Sequence, residues 1–277
     1  MRILMCTDGT PLADRAIRFS APLAQAARAD VTLLGLLSSS KTEARVRASL
    51  EQARQLLSGK VEERMRRRSA REILAEAADA DYGLIVFGSR GRRGWKRVVL
   101  GSIATELVRY ARVPVLLFKG KRVTARRVLA CTSGDVRGER VARWGGQVAQ
   151  WLGAELAVLH VMSQIALSPE SKVDELYETA EEAIERRTRE GEHLARELEL
   201  AGAHGFPTAQ PKLRHGLVVE EVVAEVEEGD YDLVIIGGHL SLDLPGIWGR
   251  LRDYLLADVA DEIISALNRP VLVVKGN

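Results

Sequence analysis

Apolar residues in this chain come in short runs separated by stretches of longer period. Ile3–Thr7, Val31–Leu37, Leu84–Phe87 and Val113–Phe118 are nearly continuous apolar runs, a pattern that suits strands buried on both faces of a parallel sheet. Val61–Arg66 is interrupted by charges and predicts a weaker strand. Between the runs the period becomes helical. Thr10 can cap a helix with Pro11 at its first position. Leu12, Ala16, Phe19, Leu23 and Ala27 then fall on one face. Ile103, Leu107 and Ala111 stripe a later helix that stops before Val113-Pro114. Five strands alternate with four helices, which predicts an open, doubly wound parallel sheet.

The same pattern then repeats. Arg2–Gly9 recurs as Arg127–Gly134 and Ala29–Ser38 as Ala154–Ser163, both at an offset of 125. Asp81–Gly88 recurs as Asp230–Gly237 at offset 149, and Pro114–Gly120 as Pro270–Gly276 at offset 156. Four blocks in one order mean two copies of one domain. The boundaries expected are 1–120 for the first copy, 121–127 for a basic linker, and 128–277 for the second. The second copy is 24 residues longer before its third block, and Val173, Leu176, Tyr177, Ala180, Ile184, Gly191, Leu194 and Leu198 predict one long helix there.

With 277 residues, 46% apolar and 28% charged, the chain can bury two cores and is not a disordered polymer. No apolar run approaches the roughly 20 residues of a membrane helix. Asp8 falls where a signal peptide would continue its apolar stretch, so a cytoplasmic protein is expected. Two cysteines give no disulfide framework. Charge is divided unevenly. Residues 1–122 hold 24 Lys and Arg against 12 Asp and Glu, while residues 123–277 hold 16 against 26. The basic half is therefore the better partner for an anion.

Ligands of such sheets sit at the carboxyl ends of the strands. There the first copy reads Gly88-Ser89-Arg90-Gly91-Arg92-Arg93-Gly94-Trp95-Lys96-Arg97-Val98-Val99-Leu100-Gly101-Ser102. Glycines let a backbone approach phosphate, and the following helix start offers free N–H groups. On composition alone the stretch suits a solvated turn equally well. It is neither a Walker A loop nor a Gly-x-Gly-x-x-Gly turn. Its spacing, Gly-x2-Gly-x9-Gly-Ser, closely resembles the ATP-binding motif of the universal stress protein family. The strand ending Thr-Asp-Gly, the Leu-Leu-x-Leu-Leu strand, Asp-Tyr-x-Leu-Ile-Val-x-Gly and Val-Pro-Val-Leu-Leu-Phe extend the resemblance over the first copy.

The resemblance implies two tandem Rossmann-like, adenine nucleotide alpha hydrolase-like domains of five parallel strands each. It implies ATP as ligand, with Mg or Mn carried through the phosphates. Thr7 and Asp8 match the first-strand turn near the adenosine, Leu36 the wall beside adenine, and Phe87 and Gly88 the edge that meets adenine and ribose. Gly91, Gly101, Ser102 and Ile103 match the phosphate turn, and Arg90, a basic residue of the same loop, is expected to bind ATP with them. Taken alone, Asp8 reads more readily as a turn or helix-cap residue. The function implied is an ATP-binding protein of stress adaptation or regulation. No water-positioning residue for phosphoryl transfer is evident, so little or no hydrolysis is expected. A slow nucleotide hydrolase or adenylyl-transfer enzyme is the alternative. Nucleic-acid binding is disfavoured, because stacking aromatics are scarce in the basic half apart from Trp95.

The second copy departs from the motif: Ser133 stands for Asp8, Leu240 for Gly91, Ala257 for Gly101 and Asp258 for Ser102. It is expected to have lost the nucleotide and to serve as a structural or interaction module. The five histidines show no metal-ligand spacing. Cys6 and Cys131 lie in first strands and are expected in the core. Arg64-Met65-Arg66-Arg67-Arg68 suits a solvated strand end or an aid to phosphate binding. Each copy closes on an apolar strand, which as a free edge is an aggregation hazard. The two closing strands are therefore expected to pair antiparallel, making an internal pseudo-dimer. A further homodimer is left open.

Overall fold

The structure, a computed structural model, describes residues 1–89, 92–93, 98–162, 178–203, 209–238 and 259–275. The first copy comprises β1 (Arg2–Thr7), α1 (Pro11–Ala26), β2 (Asp30–Leu37), α2 (Glu43–Leu56), β3 (Val61–Arg67), α3 (Ala70–Ala78) and β4 (Leu84–Gly88). Short strands β5 (Arg92–Arg93) and β6 (Val98–Val99), α4 (Ser102–Tyr110) and β7 (Val115–Phe118) complete it. The second copy holds β8 (Arg127–Thr132), α5 (Val136–Leu152), β9 (Glu155–Met162), α6 (Ala180–Arg186), α7 (Arg189–Gly202), β10 (Gln210–His215), α8 (Val218–Glu228), β11 (Leu233–Gly238) and β12 (Val271–Lys275). Residues 259–266 are helical.

Ten strands form one sheet in the order β10-β9-β8-β11-β12-β7-β4-β1-β2-β3. Within each half all five strands run parallel. The halves meet where β12 pairs with β7 antiparallel, Leu272 opposite Leu116. The closing strands thus cover each other's edges, as the edge argument required. The outer strands, β3 and β10, carry VEERMRR and QPKLRH, and charges of this kind discourage further pairing.

Local chemistry accounts for the boundaries. Thr10 caps α1 by accepting from the Ala13 amide, and Pro11 opens the helix. The closing run was expected to start at Val113, but β7 starts at Val115, because Pro114 has no N–H to give the ladder. Residues 88–102, read as loop, contain the β5–β6 hairpin. The long helix expected across Ala180–Leu198 is two helices. Arg187 turns left-handed (φ 52°), and Thr188 caps α7 by accepting from the Gly191 amide. Gly191 permits the fold-back, since a Cβ there would lie 1.9 Å from the Ala183 carbonyl oxygen of α6. Val173, Leu176 and Tyr177 lie outside the described residues.

Each face of the sheet is covered by its own core, and each core runs through both copies. One face packs Ile3, Met5, Leu33 and Val86 with Phe19 and Leu23 of α1, and continues through Val128, Val158 and Ile235 to Val141 of α5. The other packs Leu4, Leu34, Ile85 and Leu117 with Ile73 and Leu107, and continues through Leu129, Val234 and Val273 to Ile264. Lysines tie the copies together. Lys119, at the end of the first copy, is buried and its Nζ donates to the carbonyls of Ile264 and Leu267 in the second. Its repeat counterpart Lys275 donates to the Val108 carbonyl in the first. Burial lowers both amines to about 8.

Candidate functional site

The carboxyl ends of β1, β2 and β4 converge on the expected site. Gly88 ends β4 against the first turn of α1, where a Cβ would lie 3.1 Å from Ala13 Cα. Ser89 follows. Its amide donates to the Phe118 carbonyl at 3.0 Å, and among the described residues its buried Oγ has no hydrogen-bond partner. Arg90 and Gly91 lie outside the described residues. The chain then reaches Leu100, buried, and Gly101, which is the N-cap of α4 in an extended conformation (φ −67°, ψ 150°). Among the described residues no side chain caps this helix. Ser102 is exposed and Ile103 half-buried at its first turn. The first amides of α4 thus end without an internal partner, at the positive end of the helix dipole. α1, α3, α5, α6 and α7 are capped by side chains of their own. Among α1–α8, only α4 joins an uncapped start to a glycine.

The remaining expected residues fall on two sides of β1. Leu36 and Phe87 are buried on one face, in the same core as Leu100, with Ile103 packed against it. They form an apolar wall. Thr7 is buried and turned inward: its Oγ1 lies 2.6 Å from Ser49 Oγ and accepts from the Gly9 amide at 3.0 Å. Ser49 in turn donates to Asp14 at 2.5 Å. Thr7 therefore shapes the turn from within. Asp8 is partly exposed and engaged on both oxygens. Oδ1 accepts from the Thr10 amide at 3.2 Å and Oδ2 from Arg68 Nε at 3.1 Å. Arg45 donates to the Asp8 carbonyl at 3.2 Å.

The arginine run is thus neither a plain solvated end nor uniform. Arg64 and Arg66 pair with Glu76, whose side chain is 1% exposed, at 2.6 and 3.1 Å, whereas Arg68 turns to the site. Tyr82 adds a contact to Glu76 at 3.4 Å. The second copy rebuilds this clamp as Arg214, Glu225 and Tyr231. Sequence reasoning missed Ser89, Arg45 and Ser49. The position of Ser89 directly after Gly88 was the available signal for the first; nothing local marks the others, which arrive through β2, α2 and the sheet.

At the matching corner of the second copy a cavity of about 290 Å³ lies among Cys131, Ser133, Val161, Val222, Ile236 and Val259. Ser133, Val161 and Ile236 replace Asp8, Leu36 and Phe87, each with a smaller side chain. Cys131, expected in the core, is half-buried at this cavity, while Cys6 is fully buried. Leu240, Ala257 and Asp258 lie outside the described residues. His160 also lines this cavity, and burial holds its imidazole below the ordinary value, with the Glu190 charge opposing. Among the described residues no three His, Cys, Asp or Glu side chains are grouped to hold a metal, and no helix is long and apolar enough to cross a membrane.

Comparison with known proteins agrees with the repeat. The model of the universal stress protein family matches residues 1–119 and again 124–275. A universal stress protein of Mycolicibacterium smegmatis is 23% identical, over 99% of this chain and 96% of its own. In fold the chain is similar to a protein of unknown function from Pseudomonas aeruginosa (TM-score 0.69, 20% identity, 99% of this chain and 92% of that one). It is likewise similar to a universal stress protein from Archaeoglobus fulgidus (TM-score 0.64, 18% identity, 99% and 98%). Two family matches, one on each half of a ten-stranded sheet, make this chain a tandem member of the universal stress protein family.

Proposed function

We propose that the first copy binds ATP and that the chain acts as a nucleotide-responsive protein of stress adaptation or regulation, with little or no hydrolysis. The carrying observation is the start of α4: an extended glycine N-cap with no side-chain cap among the described residues, at the carboxyl end of the sheet. Free amides at a helix start favour a phosphate. The buried Ser89 hydroxyl, which directly follows β4 and has no partner among the described residues, is a further donor in search of an acceptor. In this reading Gly101, Ser102 and Ile103, with Arg90 and Gly91, hold the phosphates. Leu36 and Phe87 wall the adenine, and Gly88, at the end of β4, meets the ribose. Asp8 stands at the ribose edge and Thr7 braces its turn. A divalent cation would be carried by the phosphates and would offset their charge.

The copies differ in this reading: the second keeps the framework and not the nucleotide. Calorimetric titration of the full chain with ATP is expected to give one site per chain. Two equivalent sites, or no binding at all, would reject the proposal.

A further inference from the structure

Asp8 sits where an acid would be free to take a ribose hydroxyl, yet both its oxygens already have donors, and one of these is Arg68 Nε. A second guanidinium, Arg45, reaches the Asp8 carbonyl and has no acidic partner among the described residues. The side chain of Arg68 is 39% exposed and Arg45 is exposed, so both can meet a ligand. One carboxylate and two guanidiniums leave a net positive corner. It lies on the β2–β3 side of β1, whereas the glycine turn follows β4 on the opposite side. From β4 to β3 is three strand spacings, roughly 15 Å at about 4.8 Å each. The positive corner is thus at the far end of the site from the phosphate turn.

Copy two shows that the corner behaves as a unit. Gly216 follows β10 as Arg68 follows β3, each amide bonding back to the end of the neighbouring strand, at Met162 and Leu37. His193 faces Gly134 as Arg45 faces Gly9. Ser133 replaces Asp8. All three members are therefore absent together from the copy that lacks the glycine motif.

In nucleotide sites at strand ends, an acid alone selects a free ribose, and an arginine beside that position accommodates a ribose phosphate. Arginine suits this because its planar fork binds phosphate oxygens in pairs. We propose that the first copy prefers an adenine nucleotide carrying a phosphomonoester on its ribose in addition to its 5′ phosphate, with Arg68 and Arg45 as the residues that take it. Binding transfers Arg68 from Asp8 to the incoming phosphate. This rests on the nucleotide reading of the first copy.

The test is calorimetric titration of the full, nucleotide-free chain with AMP, adenosine 2′,5′-bisphosphate and adenosine 3′,5′-bisphosphate, with ATP as reference. One bisphosphate is expected to bind at least tenfold tighter than AMP. In Arg68→Ala that advantage should fall below threefold, and Arg68→Lys should restore part of it. Arg45→Ala, at an exposed position, should reduce it without a change in melting temperature. If ATP binds but neither bisphosphate surpasses AMP, this inference is overturned and the nucleotide reading stands. If the advantage persists in both alanine variants, the assignment to these arginines is overturned. If no nucleotide binds, both readings fall together.

Discussion

At the end of β1 the Thr7 hydroxyl meets Ser49, and the Ser49 hydroxyl donates a hydrogen bond to Asp14. At the end of β8 the Thr132 hydroxyl meets the Glu197 carboxyl, at 2.6 Å. The helices, strands and the threonine itself are the same; the partner has changed from a neutral hydroxyl to an acid. Glu197 is 1% exposed. Burial raises its carboxyl to about 7, although the Thr132 hydroxyl and the Gly134 amide pull it down. One side of the second copy's corner has gained a buried acid, and the other has gained an apolar cavity. The first copy's corner carries cations and an open helix start. A shared framework thus tolerates opposite electrostatics, because the sheet order and the two cores, not the corner, hold the halves together.

The largest test of that statement is at the join. Leu116 and Leu272 are directly opposed and both buried. Truncating either to alanine should cost about 2–5 kcal/mol, the usual range for a buried leucine. Because the residues touch, the double variant should cost less than the two singles added. Hydrogen exchange of β1 and β8 amides reads the outcome. If Leu272→Ala exposes β8 while β1 keeps full protection, the copies are separate units and the shared cores do not couple them.

Next in size is the open helix. Gly101→Asp places a carboxylate at the cap of α4, where it would take the first amides for itself and repel an anion. A loss of about 2 kcal/mol or more in nucleotide binding is expected, some thirtyfold, with the fold retained. Unchanged affinity in the folded variant would make the turn a surface feature and erase the functional difference between the copies.

Much of this was legible before any coordinates. Strands buried on both faces announce themselves as apolar runs, so β1, β2, β4 and β7 were placed within a residue or two. Even β3, VEERMRR, was found despite its charges. What escaped depended on contacts distant in sequence. The fold-back at Arg187 and Thr188 is invisible to a helical stripe that continues in phase across it. Lys119 carries no local sign of burial, because its partners lie 145 and 148 residues away. Arg68 looked like one of four arginines in a single run, until the sheet set it beside Asp8. The β5–β6 hairpin and the cavity of the second copy also had no local signature.

Glu197→Gln sharpens the contrast in the second copy. An unfolded glutamate titrates near 4.3. The folded carboxyl, raised to about 7, binds more protons than the unfolded one between those values. Stability should therefore fall as pH rises from about 4 to 7 and stay reduced above. Gln cannot ionise, so the variant should lack this slope. It should be more stable than the parent by about 1–3 kcal/mol at pH 8 and close to it at pH 4.5. Urea titrations at the two pH values measure this; parallel pH profiles would show that Glu197 is not the titrating group.

The smallest effect compares the two equivalent helix starts. Thr10 caps α1 through one bond, from the Ala13 amide at 3.4 Å. Asp135 caps α5 through two, from the Arg137 and Gly138 amides at 3.0 and 3.1 Å, and brings a negative charge to the positive end of the dipole. Replacing a capping side chain by alanine costs about 0.5–2 kcal/mol. Thr10→Ala should fall at the lower end and Asp135→Ala at the upper. Burial alone would raise the Asp135 carboxyl, but the Ser133 hydroxyl, the two amides and Arg137 outweigh it and hold it below its ordinary value. Its stabilisation is therefore present above the unfolded value near 3.9 and lost as pH falls through the lower folded value. The gap between the two variants should be open at pH 7 and narrow toward pH 2.5, because protonated Asp135 keeps its shape and loses its charge. A gap that stays constant with pH would assign the stronger cap to geometry, and the electrostatic difference between the copies would not extend to their helix starts.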